Sequence, residues 1–192
     1  MQTNRLFLAL VPDDGVRQAC NSAARNLVIR LAPPQKRVVQ PENYHITLEF
    51  LGDTVTAEQE AEVRRAAGRV CGSPFSLKLD VASAFAAANV WWIGPRETPA
   101  ELTTFRAELH KQVSGIGLHL ERSRFTPHLT VLKTAAKLAP LSIAPIEWRV
   151  SGFALMRSTL SGEGSTYEIL QRWPLQIHQR GAQQDDAQLV LL

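Results

Sequence analysis

Tyr44-His-Ile-Thr-Leu-Glu-Phe50 and Pro127-His-Leu-Thr-Val-Leu-Lys133 share a histidine, an aliphatic residue, a threonine and a second aliphatic residue. Both read as strands. Side chains alternate across a strand, so His45 and Thr47 share one face while Ile46 and Leu48 point to the other. His128 and Thr130 stand in the same way against Leu129 and Val131. A single His-x-Thr strand is commonplace. Two copies, each putting an imidazole beside a hydroxyl, form a weak internal repeat that the fold has to bring together.

Outward from these strands, Arg5 to Val11 is an apolar run of strand length closed by Pro12. Asp13 or Asp14 can then cap a helix over about 13 to 32, whose stripe includes Val16, Cys20, Leu27 and Leu31 and which Pro33-Pro34 cannot continue. Thr56 and Gln59 predict a capping box for a second helix, with Val63, Ala66, Ala67, Val70 and Cys71 on its buried face and Gly72 as its stop. Phe75 to Ala82 alternates with period two and pairs with a strand at 90 to 93. Thr98 as N-cap, Pro99 in the first turn and Glu101 as the box partner open a third helix, buried through Leu102, Phe105, Leu109, Val113 and Ile116. Further strands are predicted at 127 to 133, 146 to 157 and 165 to 173, with Pro140 and Pro145 in the connection before the second of these.

Several strands are adjacent in sequence and joined by short turns, which favours antiparallel sheets with helices on one face, an α+β fold. A length of 192 residues suits one compact domain or two closely packed lobes without a metal or disulfide staple. With 45% hydrophobic and 20% charged residues the composition is that of a soluble globular protein. A net charge of +3 tolerates a polyanionic ligand but falls well short of a nucleic-acid coating protein. Cys20 and Cys71 read as reduced core cysteines on helices, outside any metal-binding spacing. Nothing resembles a signal peptide or approaches the ~20 apolar residues of a membrane span, so a soluble, cytoplasmic protein is expected.

The four repeated groups suit in-line displacement at phosphorus, which needs a base for the attacking oxygen, an acid for the leaving oxygen and donors to the charged equatorial oxygens. With an ordinary pKa of about 6.5, one imidazole can be neutral and the other protonated at the same pH, and threonine hydroxyls can donate without a metal. On chemical grounds alone the two histidines are interchangeable. Three other histidines, His110, His119 and His178, have no matching neighbours and read as solvated. Glu49, His45 and His128 do not form a zinc-type ligand spacing, so no metal or cofactor is expected.

Taken together, the chain resembles the two-histidine phosphoesterase superfamily, and within it the bacterial RNA 2′,3′-cyclic phosphodiesterases, also described as 2′-5′ RNA ligases. The resemblance rests on Arg5-Leu-Phe-Leu-Ala-Leu, on Pro41-Glu-Asn-Tyr-His-Ile-Thr-Leu-Glu-Phe-Leu-Gly52, on Arg124-Phe-Thr-Pro-His-Leu-Thr130, and on Ser158 with Gly164-Ser-Thr-Tyr167. It implies a bilobal α+β fold over residues 1–178, in which two pseudo-symmetric lobes, each an antiparallel sheet with outer helices, place one motif apiece in a central cleft; 179–192 would be a C-terminal tail. It also implies metal-independent hydrolysis of RNA 2′,3′-cyclic phosphate ends to 2′-phosphomonoesters, with reversible 2′-5′ ligation. His45 would be the proton donor to the departing 3′ oxygen and His128 the proton acceptor from water, with Thr47 and Thr130 beside them, in a monomer.

Three further residues are substrate-binding candidates. Arg124 could anchor a phosphate, and Phe7 could stack on a base or pack in the core. Many relatives carry arginine where this chain has Lys133, which keeps the charge without the planar fork. Strict alternation puts Lys133 on the face opposite His128, so contact with phosphate would need a twist or bulge. Other readings of the same motifs are a phosphodiesterase for small cyclic nucleotides or 2′-5′ linkages, and a non-catalytic nucleotide- or RNA-binding module.

Overall fold

The computed structural model describes residues 4–118, 120, 125–161 and 164–176. Among these residues, nine strands and three α-helices follow in the order β1 (Asn4–Leu10), α1 (Asp14–Leu31), β2 (Arg37–Val38), β3 (Ile46–Val55), α2 (Ala57–Ala67), β4 (Phe75–Phe85), β5 (Val90–Gly94), α3 (Ala100–Ser114), β6 (Leu129–Lys133), β7 (Leu141–Val150), β8 (Gly152–Ser161) and β9 (Gly164–Pro174). All strand pairings are antiparallel, in the spatial order β7-β4-β5-β6-β3-β1-β8-β9, with β2 added beside β6.

The middle of that order is thin. Strands β3 and β6 pair only at Ile46 and Leu129, so the sheet opens there into one half of β7, β4, β5, β6 and β2 and another of β3, β1, β8 and β9, the two expected lobes. Helix α1 packs on β7 and β6, whereas α2 and α3 pack on each other, α2 reaching β9 through Arg64 and α3 reaching β3 through Arg106. Leu6, Leu8 and Leu10 on β1 are fully buried beneath the helices, each contributing ~1.5–3 kcal/mol of hydrophobic stabilisation. Phe7 and Ala9 face the other way, into a second small cluster with Ala154 and Met156.

Local signals place α1 and α2 well. Asp13 accepts from the amide of Val16, and Thr56 with Gln59 forms the reciprocal box. The second helix nevertheless ends at Ala67 with Gly68 as its cap, not at Gly72. Glycine there carries the usual helix-breaking entropy. Cys71 therefore lies beyond the helix and is exposed, against the expected core position, while Cys20 is buried. At α3 the box is absent: Pro99, held extended (ψ 143°), is itself the N-cap and its carbonyl accepts from Thr103, so the helix starts one residue later than Thr98 predicts.

The strand expected at 146 to 157 is two strands. Ser151 separates β7, on one outer edge of the sheet, from β8 in the other lobe. Gly152 makes the crossing possible, since a Cβ there would lie 2.7 Å from the carbonyl oxygen of Trp173. Pro145 sits inside β7 rather than before it, as an edge strand allows. Among the described residues no helix is long and apolar enough to cross a membrane. Residues 179–192 and His178 lie outside the described residues, as do Arg124 and His119.

Candidate active site

The single pairing between the lobes brings the two motifs together. Antiparallel register at Ile46 and Leu129 sets His45 opposite Thr130 and Thr47 opposite His128, with all four side chains on one face. Each imidazole is then oriented in the same way. The Nδ1–H of His45 donates to the carbonyl of Asn43 at 2.7 Å, and that of His128 to the carbonyl of Thr126 at 2.8 Å. A carbonyl can only accept, so in the neutral ring the proton sits on Nδ1 and Nε2 is left as the working nitrogen. The repeat therefore extends two residues upstream of each histidine, into backbone that side-chain identity does not reveal.

Each ring also stands between two aromatics. His45 lies 4.9 Å from Phe7 and 4.7 Å, edge-on, from Tyr167, while His128 meets Phe85 edge-on at 4.8 Å and Trp92 at 6.3 Å. These apolar walls remove water. Burial pushes the His45 imidazole down from its ordinary 6.5 to about 4, with the neighbouring His128 adding to the effect and the Asn43 hydrogen bond opposing it. Burial lowers His128 as well, against the hydrogen bond to Thr126. Both rings are thus neutral near pH 7, and an anion between them would raise both.

A cleft of about 750 Å³ opens on this face, lined among others by His45, Thr47, Thr130, Lys133, Arg37 and Tyr167. His128 lies just outside that volume, across the strand pair from Thr47. Lys133 reaches the cleft because β6 is bulged: Thr130 pairs with Trp92 but Leu132 with Trp91, so Val131 is extra. Val131 and Leu132 both enter the core, and Lys133 returns to the face of Thr130. Strict alternation would have turned it away.

The same irregularity occurs in the first motif. Ala9 pairs with Thr47 and Leu8 with Glu49, leaving Leu48 extra, so Leu48 and Glu49 both turn inward. Glu49, 3% exposed, is held there by Arg106 at 3.5 Å and by Nδ1 of His110 at 3.0 Å. His110 is accordingly a partner of a buried carboxylate and not a solvated residue. Among the described residues no group of three or more His, Cys, Asp or Glu is placed to hold a metal ion.

A model of the 2′-5′ RNA ligase superfamily matches residues 12–161. The chain belongs to that superfamily. It is 33% identical over 146 residues to the RNA 2′,3′-cyclic phosphodiesterase of Escherichia coli K12, spanning 74% of this chain and 82% of that one. To the protein of the same name from Archaeoglobus fulgidus it is 30% identical over 179 residues, spanning 86% and 97%. Among solved structures, E. coli LigT complexed with 3′-AMP superposes with a TM-score of 0.76 at 31% identity, covering 91% of this chain and 99% of that one.

For this superfamily member, the sequence signals missed the aromatic walls. Tyr167 could be singled out as a landmark but not as a neighbour of His45, and Phe85 and Trp92 carried no signal because they lie far from His128 in the chain. Phe7 is 4% exposed, packed under His45 and Tyr167, and so offers support to the imidazole and no open face to a base. Gly94 has a structural duty beside the second motif: a Cβ there would lie 2.5 Å from the carbonyl oxygen of Pro127, the residue before His128.

Proposed function

We propose that this protein opens the 2′,3′-cyclic phosphate at an RNA end, leaving a 2′-phosphomonoester, without a metal. The observation that carries the reading is the duplicated geometry: two Nδ1-anchored imidazoles whose Nε2 atoms have no hydrogen-bond partner among the described residues, each across from a threonine of the other motif. Water attacks phosphorus in line as Nε2 of His128 takes its proton; the bond to the 3′ oxygen breaks and His45 supplies the proton that oxygen needs. Thr47, Thr130 and Lys133 donate to the phosphate oxygens, where negative charge concentrates. With a 5′-hydroxyl RNA end in place of water, the same displacement forms a 2′-5′ linkage, and its reversal cleaves one. The names of the relatives from E. coli and A. fulgidus support the substrate class. Both halves of the site come from one chain, which supports a monomer, and RNA as substrate supports action in the cytoplasm.

Product analysis on an oligoribonucleotide ending in a 2′,3′-cyclic phosphate, with chelator present, tests the reading. A 2′-phosphate is the expected product. A 3′-phosphate would show that the 2′ oxygen leaves and overturn the proposed direction of opening, and loss of turnover on chelation would overturn the mechanism.

The lowered histidines also set the pH dependence. The active form has one ring protonated and one neutral, and both free-state pKa values lie below 6.5, that of His45 near 4. The bell in kcat/KM, which reports free enzyme, is therefore expected to be centred on the acid side of pH 6.5. The bell in kcat should sit at higher pH, because bound phosphate stabilises the imidazolium. Measuring both profiles checks this, and coincident profiles, or a rate still rising at pH 10, would contradict it.

A further inference from the structure

Two cations face each other at the rim of the cleft. Arg37 on β2 and Lys133 on β6 are directly opposed partners of an antiparallel pair, and both line the cavity. Like charges in that relation are destabilising. Among the described residues neither has a carboxylate at ion-pair distance, and no aspartate or glutamate lines the cavity. Among the described residues the excess is confined to one side. In the first motif the residue five after the histidine is Phe50, and the nearby guanidinium of Arg5, over its ring at 4.8 Å, is already paired with Asp53. An unrelieved pair of positive charges is what a ligand with more than one phosphate would neutralise.

Two opposed cations on one cleft wall can serve two phosphates. Lys133 is three residues beyond Thr130, roughly 10 Å along a strand, on the same face, and its flexible stem can return to the phosphate held between the histidines. Arg37 stands directly across from Lys133 on β2, along the same edge of β6 that meets β3. The cyclic phosphate occupies the 2′ and 3′ oxygens of the terminal ribose, and the next anion along a chain is the phosphodiester on the 5′ oxygen of that same ribose. A guanidinium fork matches the two non-bridging oxygens of such a group. We propose that Arg37 grips this second phosphate, and that the site thereby selects a chain end over a free nucleoside 2′,3′-cyclic phosphate. The inference rests on the hydrolase reading above and adds to it a residue that measures what lies 5′ of the scissile group.

The test compares kcat/KM for cytidine 2′,3′-cyclic phosphate, its 5′-phosphorylated form and a dinucleotide ending in the cyclic phosphate, in the wild type, Arg37→Gln and Arg37→Lys. The wild type is expected to favour both 5′-substituted substrates by roughly tenfold or more, the scale of one charge-assisted contact. In Arg37→Gln that ratio should fall to about one, and Arg37→Lys should keep part of it. Because the readout is a ratio within each variant, a change in the amount of folded enzyme does not move it. A ratio near one in the wild type, or one that Arg37→Gln leaves unchanged, overturns the assignment while leaving the hydrolase reading intact. A preference for the 5′-monophosphate that the dinucleotide does not share overturns selection for a chain end. If the wild type hydrolyses none of the three, the hydrolase reading fails and this inference with it.

Discussion

Replacing His45 or His128 by alanine is expected to lower turnover by roughly a hundredfold to ten-thousandfold, the range of one lost proton-transfer partner. The two losses should not add. Both rings act in one displacement step, so the double mutant should be little slower than the slower single mutant. The fold should survive, because each ring is only half-buried and its one hydrogen bond goes to a backbone carbonyl that can turn to water. Removing His45 does leave a gap between Phe7 and Tyr167, so a glutamine or asparagine variant is the better control for packing. Circular dichroism and a thermal melt would separate folding from catalysis. If either alanine mutant kept near-full turnover with chelator present, acid–base catalysis by the pair would be wrong.

Why so much of this site was legible in the sequence, and where legibility stopped, has a physical explanation. The motif residues are readable because alternation in a strand is strictly local, and the beginnings of α1 and α2 are readable because Asp13 and the Thr56–Gln59 box act within one turn. What escaped depends on partners distant in the chain. The bulges at Leu48 and Val131 are defined only against β1 and β5, yet they decide that Glu49 turns inward and Lys133 outward. The break at Ser151 exists because the chain passes from one lobe to the other, and the residues around it are as strand-like as those on either side. Lobe membership does not follow sequence order either: β1 joins β3, β8 and β9, while α1, which follows β1 directly, packs on the other lobe. The aromatic walls are assembled from β1, β4, β5 and β9, and it is they that shift the histidines away from their ordinary pKa.

Lys133→Ala is expected to weaken transition-state binding by ~1.5 to 3 kcal/mol, the worth of a hydrogen bond to a charged group, or about ten- to a hundredfold in kcat/KM. Lys133→Arg should preserve or improve function, since a planar fork can hold two phosphate oxygens at once. The bulge at Val131 makes this the stronger expectation, for without it the ammonium would point away from Thr130 and a substitution would stay within the ±0.5 kcal/mol usual for exposed sites. Deleting the lysine also relieves its repulsion with Arg37, so any stability change should be small or favourable, and lost activity could not be laid to unfolding. Kinetics on substrates with and without a 5′-phosphate distinguish the two cations. Lys133→Ala should slow both by a similar factor, because the scissile phosphate is common to them, whereas Arg37→Gln should change their ratio. A Lys133→Ala enzyme within twofold of wild type on both substrates would remove Lys133 from the reaction and leave the scissile phosphate to the histidines and threonines alone.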